Sequence, residues 1–350
     1  MKILAAMSGG VDSSVAAALL IEQGHEVVGV TLKLWGGASD SGCCSVADVE
    51  DARRVAQQLG IDHWVLNFVD EFEAAVVTPY AEAHAAGRTP NPCIECNRHF
   101  KFGHLLERAR KLGFDAVATG HHARVALTPS GRHRLRRGTD RAKDQSYVLH
   151  MLTQAELSRC LFPVGEITKA EVRARAMALG LRTADKAESQ DVCFVTASDG
   201  RKAFLEPRIA LHAGSVVDRA GVTVGRVEAV ELVTVGQRRG LGAGGGADKR
   251  FAVSVDTSAA TVTVGSLDDL LTDTVELGQM SWIDAPLIAP AGVEAQCSAH
   301  GRPVAARYEG DIVRFAERQR RVAPGQSVVL FDGNDVIGGG TAIEADRSRR

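Results

Sequence analysis

In the first third of the chain, short all-apolar runs alternate with stretches whose apolar residues recur every three or four positions. Residues 3–6, 27–34, 63–68 and 115–120 read as buried strands. Between them Val15, Ala16, Leu19 and Leu20 keep helical spacing as far as Gly24, and a helix opening at 46–52 runs to Leu59 and stops at Gly60. Phe102, Leu105, Leu106, Ala109 and Leu112 mark another helix, ending at Gly113. Strand and helix in alternation predict an α/β fold with a doubly wound parallel sheet, whose ligands gather beyond the carboxyl ends of the strands. Thr153-x-x-Glu156 and Thr168-x-x-Glu171 are capping boxes, the second opening a helix that runs to Leu179. From about Gly214 the pattern changes to short β-branched runs between glycine and aspartate turns, from 215–217 through 327–331. That spacing predicts small β domains ending in a barrel. The expected division is a catalytic domain over 1–205, a β-rich central domain over 206–270 and a β-barrel over 271–346.

Between the first strand and the first helix lies Ser8-Gly9-Gly10-Val11-Asp12-Ser13-Ser14. A glycine turn there aims backbone N–H groups and the positive end of a helix dipole at one spot, which suits phosphate. Ser8, Ser13 and Ser14 offer hydroxyl donors, whereas Asp12 is out of place beside a polyphosphate unless a metal ion or backbone N–H occupies it. No Gly-Lys-Ser/Thr follows, so this is not the Walker pattern. Leu32 and the Trp35 loop belong to the same rim, with the nucleotide base expected between them and the glycine turn. Gly120, after the strand at 115–120, permits close approach to the nucleotide, and His121 follows beside the reacting groups or as a satisfied structural histidine.

Composition adds bounds. With 350 residues, 45% hydrophobic and 24% charged, the chain reads as a globular protein of two or three domains. No apolar run approaches membrane-spanning length. The apolar start is broken by Ser8-Gly9-Gly10 and Asp12, which argues against a signal or transit peptide. Seven cysteines then indicate a reducing, cytoplasmic setting and thiols kept for chemistry. A net charge of −2 announces no nucleic acid in bulk, leaving two basic stretches, 132–143 and 314–321, as local patches or solvated faces. Adjacent Cys43 and Cys44 are read as loop residues.

Two other cysteines stand out. Pro90 and Pro92 predict an extended approach to Cys93-Ile94-Glu95-Cys96, which puts Cys96 at a helix N-terminus. A thiol of pKa about 8.5 is largely protonated at neutral pH, and a helix dipole shifts it toward the nucleophilic thiolate. Half of a zinc site or a redox pair are the other readings of Cys93-x-x-Cys96. Cys193, in Ser189-Gln190-Asp191-Val192-Cys193-Phe194, has an apolar setting like a core cysteine but polar neighbours unlike one.

The Ser-Gly-Gly-Val-Asp-Ser-Ser stretch resembles the pyrophosphate loop of ATP pyrophosphatases. Taken with Gly-Arg-Thr-Pro-Asn-Pro before Cys96-Asn97, Ala-Thr-Gly-His-His, Lys-Asp-Gln-Ser-Tyr, Ser-Gln-Asp-Val-Cys-Phe and Val-Gly-Gln-Arg-Arg-Gly-Leu, the chain resembles the tRNA-specific 2-thiouridylase family along nearly its whole length. The resemblance implies replacement of O2 of the wobble uridine by sulfur, with ATP and Mg²⁺, on the anticodon stem-loop of tRNA. A sulfur-relay protein as persulfide donor is implied as well. Cys96 matches the nucleophile and Cys193 the persulfide carrier. Ala6, Met7, Ser8, Gly9, Gly10, Val11, Asp12, Ser13, Leu32 and Gly120 match the ATP site. Asn91, Pro92 and Cys93 match positions that contact the target base, and His121, Lys143, Asp144, Gln145, Arg307, Tyr308 and Gln326 match positions that contact tRNA. Many members carry aspartate where this chain has Cys93. That departure opens a second chemistry, in which Cys93, Cys96 and Cys193 hold a [4Fe-4S] cluster. A pyrophosphate-loop ligase acting on a small molecule, such as a guanylate synthetase, and a nucleotide-binding regulator are the competing functions.

Overall fold

The run from Val27 to Leu32 is buried at every position, as a strand covered on both faces must be. In the computed structural model, which describes residues 1–36, 45–187, 192–195, 200–242 and 249–344, it lies inside a parallel sheet. The N-terminal region supplies β1 (Lys2–Ala6), β2 (Glu26–Lys33), β3 (His63–Asn67), β4 (Ala116–Ala118), the hairpin β5 (Ala123–Leu127) and β6 (His133–Arg137), and β7 (Cys160–Leu161). Five of them pair in the order β3-β2-β1-β4-β7. Helix α1 (Val11–Glu22) packs small residues, Ala16, Ala17 and Ala18, against one face; α2 (Val46–Leu59) ends on Gly60 in the left-handed region. Both capping boxes form as the spacing requires. Cys43 and Cys44, residues 188–191, part of the glycine run after Gly242 and the basic tail at 347–350 lie outside the described residues.

The central region pairs β8 (Gly214–Val217), β9 (Thr223–Val227), β10 (Phe251–Asp256) and β11 (Thr261–Gly265) in the order β10-β11-β8-β9. The C-terminal barrel consists of β12 (Leu271–Trp282), β13 (Ala291–Gln296), β14 (Val304–Tyr308), β15 (Ile312–Arg320), β16 (Ser327–Asp332) and β17 (Asp335–Ala342). It closes where β12 pairs with both β15 and β17. The sequence pattern misses β17 because Gly338, Gly339 and Gly340 carry no apolar signal. Crowding explains the glycines, since a Cβ on Gly338 would lie 2.4 Å from the Ser281 carbonyl oxygen.

The basic stretch 132–143 is built into a seam of the fold, with Arg132, Arg134 and Arg141 still exposed. It holds β6, which joins the barrel sheet beside β17, Arg136 standing opposite Asp335. Arg134 and Arg136 both donate to Asp335, at 2.6 and 2.7 Å, and Arg132 pairs with Asp284. Buried Arg137 donates to Asp144 and Gln296, each at 2.9 Å, and its guanidinium lies 3.5 Å from the Phe331 ring centre. These arginines fasten the catalytic region to the barrel. The second stretch is also occupied: Arg314 pairs with Glu309, and Arg318 donates to the carbonyls of Asp268 and Leu271. Among the described residues no helix is long and apolar enough to cross a membrane.

Candidate active site

Gly9 takes φ +73°, and a Cβ there would lie 2.3 Å from the Asp48 carbonyl oxygen, so the turn admits only glycine. Gly10 is the N-cap of α1 and supplies no side-chain acceptor. The first N–H groups of the helix are therefore left for a ligand. The serines stiffen the loop: Ser13 and Ser14 Oγ donate to the Gly10 carbonyl at 3.0 and 2.8 Å, and Ser13 Oγ accepts from Ser8 N at 3.2 Å. Ser14 is fully buried and is no phosphate donor. Gly120 makes its close approach to the loop itself, since a Cβ there would fall 2.6 Å from Ser13 N.

Asp12 has two side-chain partners that no local pattern in the sequence names. Lys169 Nζ donates to both its oxygens, at 2.7 and 2.6 Å, and His122 Nε2 lies 3.2 Å from Oδ1. Burial pushes the Asp12 carboxyl up, but the hydrogen bonds from His122 and Lys169 and the lysine charge outweigh it and hold the group below its ordinary value. Lys169 follows the Thr168 cap as the first residue of the helix Lys169–Ala178.

The cysteines sit differently from the expectation. Pro92 does not hold the chain extended; as the first residue of the helix Pro92–Cys96 it has no N–H to lose. Asn91 caps that helix, its Oδ1 accepting from Cys93 N at 3.1 Å. The chain stays helical through Asn97–His104, a π segment, and Leu105–Lys111. Cys93, in the first turn, thus takes the N-terminal place that Cys96 was expected to hold, and Cys96 is buried a turn further on. Cys193 lies in a turn anchored by Phe194, whose ring packs on Phe204, Tyr80, Phe72 and Trp35 at 5.0 to 6.0 Å. Trp35 belongs to this aromatic cluster, packing on Phe194 and Phe204.

One cavity of about 350 Å³, within the usual size of ligand sites, joins the glycine loop to the cysteines, with Gly9 and Asn91 outside its lining. The loop residues Ala6, Met7, Ser8, Gly10, Val11, Asp12 and Ser13 line it together with Leu32 and Gly120. So do Pro92, Cys93, Cys96 and Cys193, with His121, Lys143, Asp144 and Gln145. Asp144 is occupied inwardly, accepting from Arg137, Gly138 N and Ser146, and Gln145 Oε1 accepts from His122 N at 2.9 Å. His121 hydrogen-bonds Thr119 at 2.7 Å, and burial holds its ring neutral, well below the ordinary histidine value. Three expected residues stand in the barrel, away from this lining. Arg307 is exposed beside Glu309, and Tyr308 is buried edge-on against Trp282. Gln326 Nε2 donates to the Thr89 carbonyl at 2.7 Å, tying the barrel to the approach of the cysteine helix. Lys169, His122, Lys101, Asn97 and His300 also line the cavity and were not singled out from the sequence. Asn97 Nδ2 donates to the Val148 carbonyl, while its buried Oδ1 meets no partner among the described residues. His122 and Asn97 stand inside the motifs Ala-Thr-Gly-His-His and Cys96-Asn97 without a role assigned to them, and Lys169 is the residue after a capping threonine.

Among the described residues no three His, Cys, Asp or Glu side chains are grouped so as to hold a metal ion. Cys93, Cys96 and Cys193 line the same cavity, three thiols where an iron–sulfur cluster usually takes four cysteine ligands.

Three family models match the chain in succession: the tRNA methyl transferase HUP domain over residues 1–197, the tRNA methyl transferase PRC-barrel domain over 202–266 and the aminomethyltransferase beta-barrel domain over 272–342. The tRNA-specific 2-thiouridylase MnmA of Chloroflexus aggregans is 46% identical over 349 residues, covering 97% of each chain. That of Geotalea uraniireducens is 45% identical over 355 residues, covering 97% of this chain and 94% of the other. Likeness to solved structures is slight; the U34-tRNA thiolase NcsA of Methanococcus maripaludis with its [4Fe-4S] cluster gives a TM-score of 0.39 at 17% identity, over 59% of this chain and 65% of that one. The domain models are named for methyl transfer and the full-length relatives for thiolation, and identity across 97% of the length outweighs a domain label. The chain belongs to the tRNA-specific 2-thiouridylase family.

Proposed function

We propose that this chain, a tRNA-uridine sulfurtransferase by its family, exchanges O2 of the wobble uridine for sulfur in the cavity that joins the glycine loop to Cys96 and Cys193. That shared cavity is the observation that carries the reading. ATP lies with its phosphates on the N–H groups opening α1 and its base toward Leu32 and Gly120. Lys169 is poised to turn from Asp12 to phosphate, and Mg²⁺ arriving with ATP, held by Asp12, would screen the phosphate charge. The anticodon uridine is flipped into the cavity at a cost of a few kcal/mol, and the orphaned Oδ1 of Asn97 offers its N3–H an acceptor.

The uridine O2 attacks the α-phosphorus of ATP and pyrophosphate leaves, so C2 carries AMP as a leaving group. Cys96 Sγ attacks the inner sulfur of the Cys193 persulfide; the S–S bond to the terminal sulfur breaks and a Cys96–Cys193 disulfide forms. The released hydrosulfide adds to C2 and AMP departs with the former O2. An external thiol then reduces the disulfide. No step passes through a cluster.

The test is mass analysis of wobble nucleosides from unmodified tRNA incubated with ATP and a persulfide source. Wild-type enzyme should yield 2-thiouridine. Cys96→Ser and Cys193→Ser should yield none, while still releasing pyrophosphate when tRNA is present. Full thiolation by either variant would remove the sulfur assignment, and pyrophosphate release indifferent to tRNA would favour a small-molecule ligase.

A further inference from the structure

A second cavity, of about 460 Å³, adjoins the first. Pro92 and Val192, the residues immediately before Cys93 and Cys193, line both and form the wall between them. On the far side of that wall stand His84, Arg201 and Tyr80. His84 is 2% exposed, and its Nδ1 lies 3.2 Å from the Glu231 carbonyl oxygen. A carbonyl only accepts, so Nδ1 carries the ring proton and Nε2 keeps its lone pair. That Nε2 is buried and meets no hydrogen-bond partner among the described residues. Burial first, and the Arg201 charge second, keep the ring neutral, its pKa brought down to about 4. Among the described residues Arg201 donates to Thr234 Oγ1 and the Leu232 carbonyl, at 3.4 and 3.3 Å. No carboxylate among the described residues pairs with it. The Tyr80 phenol is raised by burial, lowered by Arg201 and raised by Cys93, which puts it within electrostatic reach of the cation and of the thiol beyond the wall.

An unmet buried acceptor costs a fold free energy; it shares this recess with a guanidinium that no carboxylate among the described residues pairs, and neither group lines the nucleotide cavity. Together they fit a ligand that donates one hydrogen bond and develops negative charge.

We propose that the second cavity is the port for the sulfur donor: it seats an alkyl persulfide, RSSH, whose terminal sulfur passes between Pro92 and Val192 to Cys193. This rests on Cys193 as the sulfur carrier. His84 Nε2 accepts from the terminal S–H and aims that sulfur at the wall. Cys193, as thiolate, attacks the terminal sulfur; the donor S–S bond breaks and a new one forms on Cys193. The donor leaves as RS⁻ beside Arg201 and takes up the proton Cys193 released, so RSSH and Cys193–SH become RSH and Cys193–SSH with no net change of electrons. Sulfur thus enters without displacing ATP or uridine from the first cavity.

The experiment loads enzyme with glutathione persulfide and follows the gain of one sulfur atom on the Cys193 peptide by mass spectrometry. Arg201→Met removes the cation, and Val195→Phe fills the cavity without touching the nucleotide side. Each should slow loading by roughly tenfold, a barrier change of about 1.4 kcal/mol, with tRNA-dependent pyrophosphate release at the wild-type rate. Loading at the wild-type rate in both variants would overturn the port, as would loading and pyrophosphate release falling together, which marks general damage. A wild-type enzyme that thiolates tRNA without ever carrying sulfur on Cys193 would instead overturn the underlying reading of that cysteine.

Discussion

Lys169 lies 157 residues from Asp12, yet its ammonium sits between both carboxylate oxygens at the mouth of the glycine loop. The sequence made Asp12 conspicuous, a negative charge where phosphate should bind, but no local pattern tells which distant cation answers it. Lys169→Met should reduce tRNA-dependent pyrophosphate release by about a hundredfold, as loss of a charge-assisted contact of about 3 kcal/mol to phosphate implies. It should also lower stability by about 1–3 kcal/mol, because it strips a half-buried carboxylate of its main donor. Adding Asp12→Asn to Lys169→Met separates the two effects: urea unfolding should recover while pyrophosphate release stays low. Recovery of both would make the pair a structural strut and nothing more. The serines teach the complementary lesson. Ser8, Ser13 and Ser14 looked like phosphate donors, whereas two of the three hydroxyls are turned back on the Gly10 carbonyl, a competition between side chain and backbone that residue type alone does not decide.

The element that carries Cys93 and Cys96 was legible in its far half and misread in its near half. Phe102, Leu105 and Ala109 carry the helical period, but a proline pair reads as a helix breaker, whereas Pro92 takes the first helical position behind an asparagine cap. Asn91 holds two roles that substitution can divide. Asn91→Ala removes the acceptor for Cys93 N and should cost about 1 kcal/mol of stability. Asn91→Asp keeps an acceptor at the cap, and its negative charge suits a helix start, so its melting temperature should match wild type. If the Asn91 amide also contacts the target base, Asn91→Asp should still lose thiolation in the wobble-nucleoside assay. A fully active, fully stable Asn91→Asp would confine Asn91 to capping. The β elements divide in the same way: the short β-branched runs read directly as strands, while the long strand β12, the glycine strand β17 and the arginine-rich hairpin β5–β6 do not, because what holds them in the barrel sheet are partners distant in sequence.

At the scale of the molecule, three sheets were foreseen but their fastening was not. The junctions are made of groups whose meaning depends on what stands opposite: Arg134 and Arg136 on Asp335, Gln326 on Thr89, His84 on Glu231 and His150 under β17. Two of these are buried neutral histidines. His84 Nδ1 meets the Glu231 carbonyl of the central domain; His150 Nδ1 meets the Tyr147 carbonyl, and its ring lies where a Cβ on Gly339 of the barrel would come within 2.6 Å. Burial brings both down to a pKa of about 4, from an unfolded value of 6.5. The sign follows from which state takes the proton first. Between these values the unfolded chain binds protons that the folded chain refuses, so stability falls as pH drops below 6.5 and the loss levels off near 4. At pH 5 each histidine should cost about 2 kcal/mol relative to neutral pH. Urea titrations at pH 7.5 and 5.0 should therefore differ by about 4 kcal/mol from this pair alone. In His150→Gln the difference should shrink by about 2 kcal/mol, because glutamine cannot titrate at the junction. Equal pH dependence in wild type and variant would mean that His150 gains its proton in the folded state, and that the barrel junction opens to water more readily than its burial implies.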